Sequence, residues 1–144
     1  MLKTCPACGR IVDSHHVCPR ARENRTNYFK GYHQSHINRR FRSSKAWQKK
    51  REEIRQRDFG LDQAALHGLD PDHPEPYINT QNLSVHHIIP LDADRDLALE
   101  DTNLILLGSH THELAEAGVI PAEKLQAIAW ENTHKHLLSD ERDR

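Results

Sequence analysis

Two adjacent histidines, His86 and His87, stand in "LSVHHIIP" at residues 83–90, where the chain reads as the end of a strand. Neighbouring strand side chains point to opposite faces, so the two imidazoles are expected to do different work. Pro90 cannot donate to a sheet ladder and marks where regular pairing stops. A neutral imidazole can bind a divalent metal, or it can take a proton at a pH near neutrality. Asn103 follows His87 by 16 residues, and His112 follows Asn103 by 9. His112 falls near a predicted helix N-terminus, where the partial positive charge favours neutral imidazole and a nearby phosphate.

A second set of metal-ligating types opens the chain. "CPACGRIVDSHHVC" carries Cys5, Cys8 and Cys18, with His15 and His16 between them. Cys5-x-x-Cys8 with Gly9 after it has the spacing of half a zinc knuckle, and His15-x-x-Cys18 can be the other half. The fourth ligand could equally be His16, or be absent. This piece is too small to bury a core, so bound zinc is the expected reason for it to fold.

The elements that must position these groups divide the chain by charge. Residues 1–57 hold 15 Lys+Arg against 4 Asp+Glu, and residues 58–144 hold 5 against 17, so a net charge of −1 hides halves of +11 and −12. A basic arm of this kind is an electrostatic footprint for a polyanion, since neutralised phosphates release counterions. The low hydrophobic share of 36% predicts a modest core. No apolar run reaches membrane-spanning length, and "MLKTCPACGR" has no signal-peptide core, so a cytoplasmic chain with no membrane partner is expected. Three cysteines without a secretory signal favour metal over a disulfide.

Along the chain, "RARENRTNYFKGYHQSHINRRFR" shows no clear period and reads as an extended basic linker. "SSKAWQKKREEIRQRD" reads as a helix capped by Ser43 or Ser44, with Trp47 and Ile54 on one face. The stretch 60–82 is turn-rich and is expected to be a long surface loop. The strand ending at His86-His87 follows, then an acidic loop over 92–102 and a buried strand "NLILL". A short helix capped by Ser109 and stopped by Gly118 comes next, then a last helix opened by Pro121 that turns Leu125, Ile128 and Ala129 inward. The tail is expected to fray, with His134 and His136 at the surface. The expected divisions are therefore a zinc knuckle over 1–22, a basic linker and helix over 23–57, a core over 58–132 and a tail over 133–144.

Strand, loop, strand and helix, with histidines at the first strand's end and on the helix, describe a ββα unit. "VHHIIPL" (85–91), "NLILLGSHTH" (103–112) and the helix after them resemble the ββα-metal motif of the HNH endonucleases. "KTCPACGRIV", the "SKAWQKKREEIRQRD" helix and "AEAGVIP" look like small phage and prophage HNH proteins, so the resemblance covers most of the chain. It implies an α+β fold, a small ββα-metal (HNH, His-Me finger) core with flanking helices and an N-terminal zinc-knuckle-like segment. It implies a metal-dependent DNA endonuclease with His86 and His112 as metal ligands and His87 as general base. Asn103 would bind across the loop and hold His87 in orientation. His110 could replace His112 as ligand, although the spacing from Asn103 favours His112. One catalytic Mg2+, Mn2+, Ni2+ or Zn2+ is expected, with a structural Zn2+ at the N-terminus. Arg39, Arg40, Arg42, Lys45, Lys49, Lys50, Arg51 and Arg55 would clamp DNA through phosphate contacts. A phage origin would add work beside terminase and the packaging machinery. Many relatives also hold the unit with a second zinc on two CxxC pairs. Those positions are Asp62, Ala65, Gly108 and Thr111 here, which implies no such zinc.

Overall fold

A computed structural model describes the backbone of residues 1–142 and the side chains of residues 1–135. The chain is mixed α+β, with five helices and two small antiparallel sheets among the described residues. It forms two units, Met1–Arg42 and Ser43–Arg144.

In the first unit β1 (Lys3–Thr4) pairs with β2 (Ile11–Val12). Gly9, at φ +72°, makes the turn between them. Its amide donates to the Cys5 carbonyl at 2.8 Å, and the Cys5 amide donates to the Arg10 carbonyl at 2.8 Å. A non-glycine residue would be strained at that φ. Next comes α1 (Pro19–Arg42), so the stretch expected to be an extended linker is a helix of 24 residues. Nothing in α1 is buried, and a helix that packs no apolar stripe leaves no 3.6-residue period to read. It is supported locally instead. Pro19 fits a first helical position, and the Tyr32–His36 (3.2 Å) and Gln34–Asn38 (3.4 Å) side chains bond one turn apart.

The second unit opens with α2 (Lys45–Arg57), whose N-cap Ser44 accepts from the Trp47 amide at 3.2 Å. Trp47 and Ile54 are buried, as their spacing predicts. The stretch 60–82 is not the surface loop expected. It contains α3 (Gln63–Leu66), and Asp62, Gln63, Ala64, Ala65 and Asp70 are all buried. The prolines govern only its second half, whereas Asp62 caps α3 by accepting from the Ala64 and Ala65 amides at 3.1 Å each. β3 (Leu83–His87) pairs antiparallel with β4 (Leu104–Gly108), setting His86 opposite Ile105 and His87 opposite Leu104.

β4 is buried along its whole length and forms the floor of the core with Ala64, Ile88, Ile120, Leu125 and Ala129. α4 (Ser109–Glu116) follows, capped at Gly108 rather than at Ser109. α5 (Ala122–Arg142) buries Leu125, Ile128 and Ala129. It runs straight through the expected boundary at 132, so the segment read as a frayed tail is helical to Arg142; the His136 side chain lies outside the described residues.

One buried carboxylate ties the second unit together. Asp58, fully buried, accepts from Arg57 Nε (2.8 Å) and Asn132 Nδ2 (3.0 Å) on one oxygen. Its other oxygen accepts from Arg57 Nη2 (3.0 Å) and the Leu106 amide (2.9 Å). The end of α2, the open edge of β4 and α5 are thereby joined through one charge pair.

Candidate functional site

Strand alternation separates the two histidines at the end of β3. His86 is buried and its ring meets that of His112 edge-on, with centroids 4.8 Å apart. His112 is the fourth residue of α4, and its Nε2 is 3.6 Å from Glu116 Oε1, one turn further along that helix. His86, His112 and Glu116 offer ligand atoms within 4.8 Å of one another. Burial pushes the His86 pKa down to about 4, with His112 and His87 adding to the shift, so its lone pair is available at neutral pH. The spacing of Glu116 from His112 puts both on one helix face, a signal present in "HELAE" but not used in the sequence reading.

His87 faces the other way. Its ring stacks on Trp47 at 4.8 Å between centroids, and its Nε2 lies 3.0 Å from the Ala98 carbonyl. A carbonyl can only accept, so this contact selects the tautomer with the proton on Nε2 and the lone pair on Nδ1. Asn103 binds across the intervening loop. Its Oδ1 accepts from the Ile89 amide (2.8 Å), and its Nδ2 donates to the carbonyls of Ile89 (3.1 Å) and Leu97 (3.2 Å). It does not touch His87 in these bonds. It fixes the loop that presents the Ala98 carbonyl.

At the N-terminus the structure brings Cys5, Cys8 and Cys18 together with His16, not His15. In the turn before α1 the His15 amide donates to Asp13 Oδ1 at 2.8 Å. Cys8 Sγ and His16 Nε2 are 3.8 Å apart. Tetrahedral zinc with its usual S and N bond lengths spans about 3.6 Å between such atoms. The amides of Cys8 and Ala7 bring the Cys5 thiol down to about 6, favouring the thiolate that zinc requires. The cluster is compatible with a zinc site.

The basic residues separate into two groups. Arg39, Arg40 and Arg42 form the last turn of α1, and Lys45, Lys49 and Arg51 are exposed on α2. Lys50 is committed within the fold, bonding Asp101 at 2.7 Å and Glu53 at 2.9 Å, and Arg55 donates to the Leu83 carbonyl at 3.3 Å. Lys49 lies 4.0 Å from Glu53, and Arg51 donates to Gln48 at 2.8 Å.

Asp62, Ala65, Gly108 and Thr111, the four positions separated in sequence by up to 49 residues, converge at the joint between β4 and α4. Thr111 Oγ1 donates to Asp62 Oδ2 at 2.7 Å, and Asn79 Nδ2 reaches the same oxygen at 3.5 Å. A Cβ at Gly108 would collide with Asp62 Oδ2 and Asn79 Nδ2, so the backbone must pass this point bare. His110 does not join His86. It faces Asp70 and Asp72 instead.

No protein-family model, no curated protein and no solved structure matches this chain.

Proposed function

We propose that this protein is a metal-dependent endonuclease of the HNH type that hydrolyses phosphodiester bonds in DNA. The observation that carries the reading is the opposed placement of two neighbouring imidazoles. His86 meets His112 beside Glu116 on one side, while His87 is fixed by a carbonyl on the other. His86 and His112 would hold the divalent ion, with Glu116 in reach. A divalent cation bound there supplies Lewis acidity to the scissile phosphate and its leaving oxygen. His87 takes the proton of the attacking water at Nδ1, and the Ala98 carbonyl keeps that nitrogen in its acceptor form. Asn103 is a positioning residue that acts through the loop. The Cys5, Cys8, His16 and Cys18 cluster would hold a structural Zn2+. Arg39, Arg40, Arg42, Lys45, Lys49 and Arg51 would contact DNA phosphates, which orient a duplex without reading its sequence. By resemblance alone, the same reading puts the protein in a bacterial cell, beside phage terminase.

Supercoiled plasmid incubated with Mg2+, Mn2+, Ni2+ or Zn2+, with and without chelator, tests the reading. Wild type is expected to nick in at least one metal, and His87→Ala to be slower by about 10²-fold or more, the usual worth of a general base. A wild-type protein that nicks in none of the four metals would sink the proposal. Salt-sensitive DNA binding without cleavage would identify a non-catalytic DNA-binding adaptor.

A further inference from the structure

A second group of ligating side chains stands clear of His86 and His112. His110 and His112 are two residues apart on α4, about 200° around the helix axis, so they face nearly opposite ways. His110 Nε2 lies 3.3 Å from Asp70 Oδ1 and 3.1 Å from Asp72 Oδ2, and His73 Nδ1 lies 3.2 Å from Asp70 Oδ2. Asp70, His73 and His110 each offer one ligand atom within 4.8 Å of the others. Two ligands bound tetrahedrally to Zn2+ at the usual N and O distances are about 3.3 Å apart; each imidazole stands at that distance from one Asp70 oxygen, His110 from Oδ1 and His73 from Oδ2.

The carboxylate at the centre is held as metal-ligating carboxylates are. Asp70 is fully buried, while the imidazoles beside it are open to solvent. Tyr77 Oη donates to Asp70 Oδ2 at 2.7 Å, and the Asp72 amide donates to Oδ1 at 3.0 Å. Each oxygen thus carries one orienting donor and one imidazole: Tyr77 shares Oδ2 with His73, and the Asp72 amide shares Oδ1 with His110.

We propose that Asp70, His73 and His110 bind a borderline divalent cation such as Zn2+, with Asp72 or water completing the tetrahedron. Imidazole and carboxylate together suit such a cation, and the two imidazoles stay exposed enough to admit it. The ion would join the 67–79 segment to the first turn of α4. That helix also carries His112, two residues on from His110, so the joint would steady the ligand helix of the other centre.

The test titrates Zn2+ alone into the metal-stripped full-length protein and counts bound equivalents by native mass spectrometry. His73→Gln/His110→Gln, which changes two exposed side chains, is expected to bind one equivalent fewer than wild type. His86→Ala/His112→Ala is expected to keep that equivalent. Cobalt substitution should show the thiolate absorption of the N-terminal cluster unchanged in both. Tyr77→Phe is expected to weaken the same equivalent by about tenfold, the effect of losing an orienting partner behind a ligand. It also decides the matter if the double variant loses more than one equivalent through misfolding. An unchanged zinc count in His73→Gln/His110→Gln, or unaltered affinity in Tyr77→Phe, would reduce the group to histidine–carboxylate ion pairs and overturn the proposal.

Discussion

In the N-terminal unit, the buried residues are Cys5 and Cys18, both members of the one metal-type cluster there. In the body the buried set is apolar, from Ile54 through β4 to Ala129, with Asp58 and Arg57 paired inside it. One unit has nothing to exclude from water except its own candidate ligands. The other can keep its shape by burial and charge pairing before any ion is considered. The difference assigns opposite sensitivities to two parts of one chain: the first should depend on metal supply and the second on packing.

The largest way to break that contrast is to remove metal. Structural zinc in small peptides contributes roughly 10 kcal/mol to folding. Chelator, or Cys18→Ser, is therefore expected to abolish amide protection over β1 and β2, with protection of β4 kept. Hydrogen exchange followed by mass spectrometry reads both at once. Equal loss in the two units would show that they are not independent in this respect.

Asp58→Ala attacks the body instead. It leaves the Arg57 guanidinium buried without its carboxylate, which typically costs about 3–5 kcal/mol. Urea unfolding should show the loss, while the cobalt–thiolate spectrum of the N-terminal unit stays as in wild type.

A smaller effect follows from pH. The folded pKa of His86 is about 4, below its unfolded value of 6.5, so the unfolded chain binds a proton first as pH falls. The metal-free body is expected to have full stability above about 6.5 and to lose at most about 3 kcal/mol as pH approaches 4, by linkage. His86→Leu should flatten that part of the profile; a slope unchanged by the substitution would mean other groups carry it. The smallest effect is at a cap. Ser44→Ala removes the acceptor for the Trp47 amide and should cost about 1 kcal/mol in thermal unfolding.

Much of the body is legible in the sequence because burial imposes a pattern. Trp47 and Ile54, and Leu125, Ile128 and Ala129, follow the helical period, β4 reads as an unbroken apolar run, and Gly118 stops α4 as its type predicts. α1 was illegible for the converse reason: a helix with no buried residue has no stripe. The adjacent pair His86-His87 announced opposed placement through strand alternation alone. Asp70, His73 and His110 could not be grouped that way, because their neighbourhood spans 40 residues and depends on where the 67–79 segment folds back. Prolines there suggested surface, and they concealed a buried carboxylate. His15 and His16 were indistinguishable by spacing; in the structure it is the His16 ring that reaches the cysteines, 3.8 Å from Cys8 Sγ.

The joint at Asp62 has a consequence for oxidative damage. All three cysteines of the chain lie before residue 19, and the body is closed at β4 and α4 by Asp62, Thr111 and a bare Gly108 rather than by sulfur. Peroxide that converts thiolates to sulfenic or sulfinic acids therefore has targets only in the N-terminal unit. An oxidised molecule would lose the thiolates of its N-terminal cluster and keep the body around β3, β4 and α4 intact.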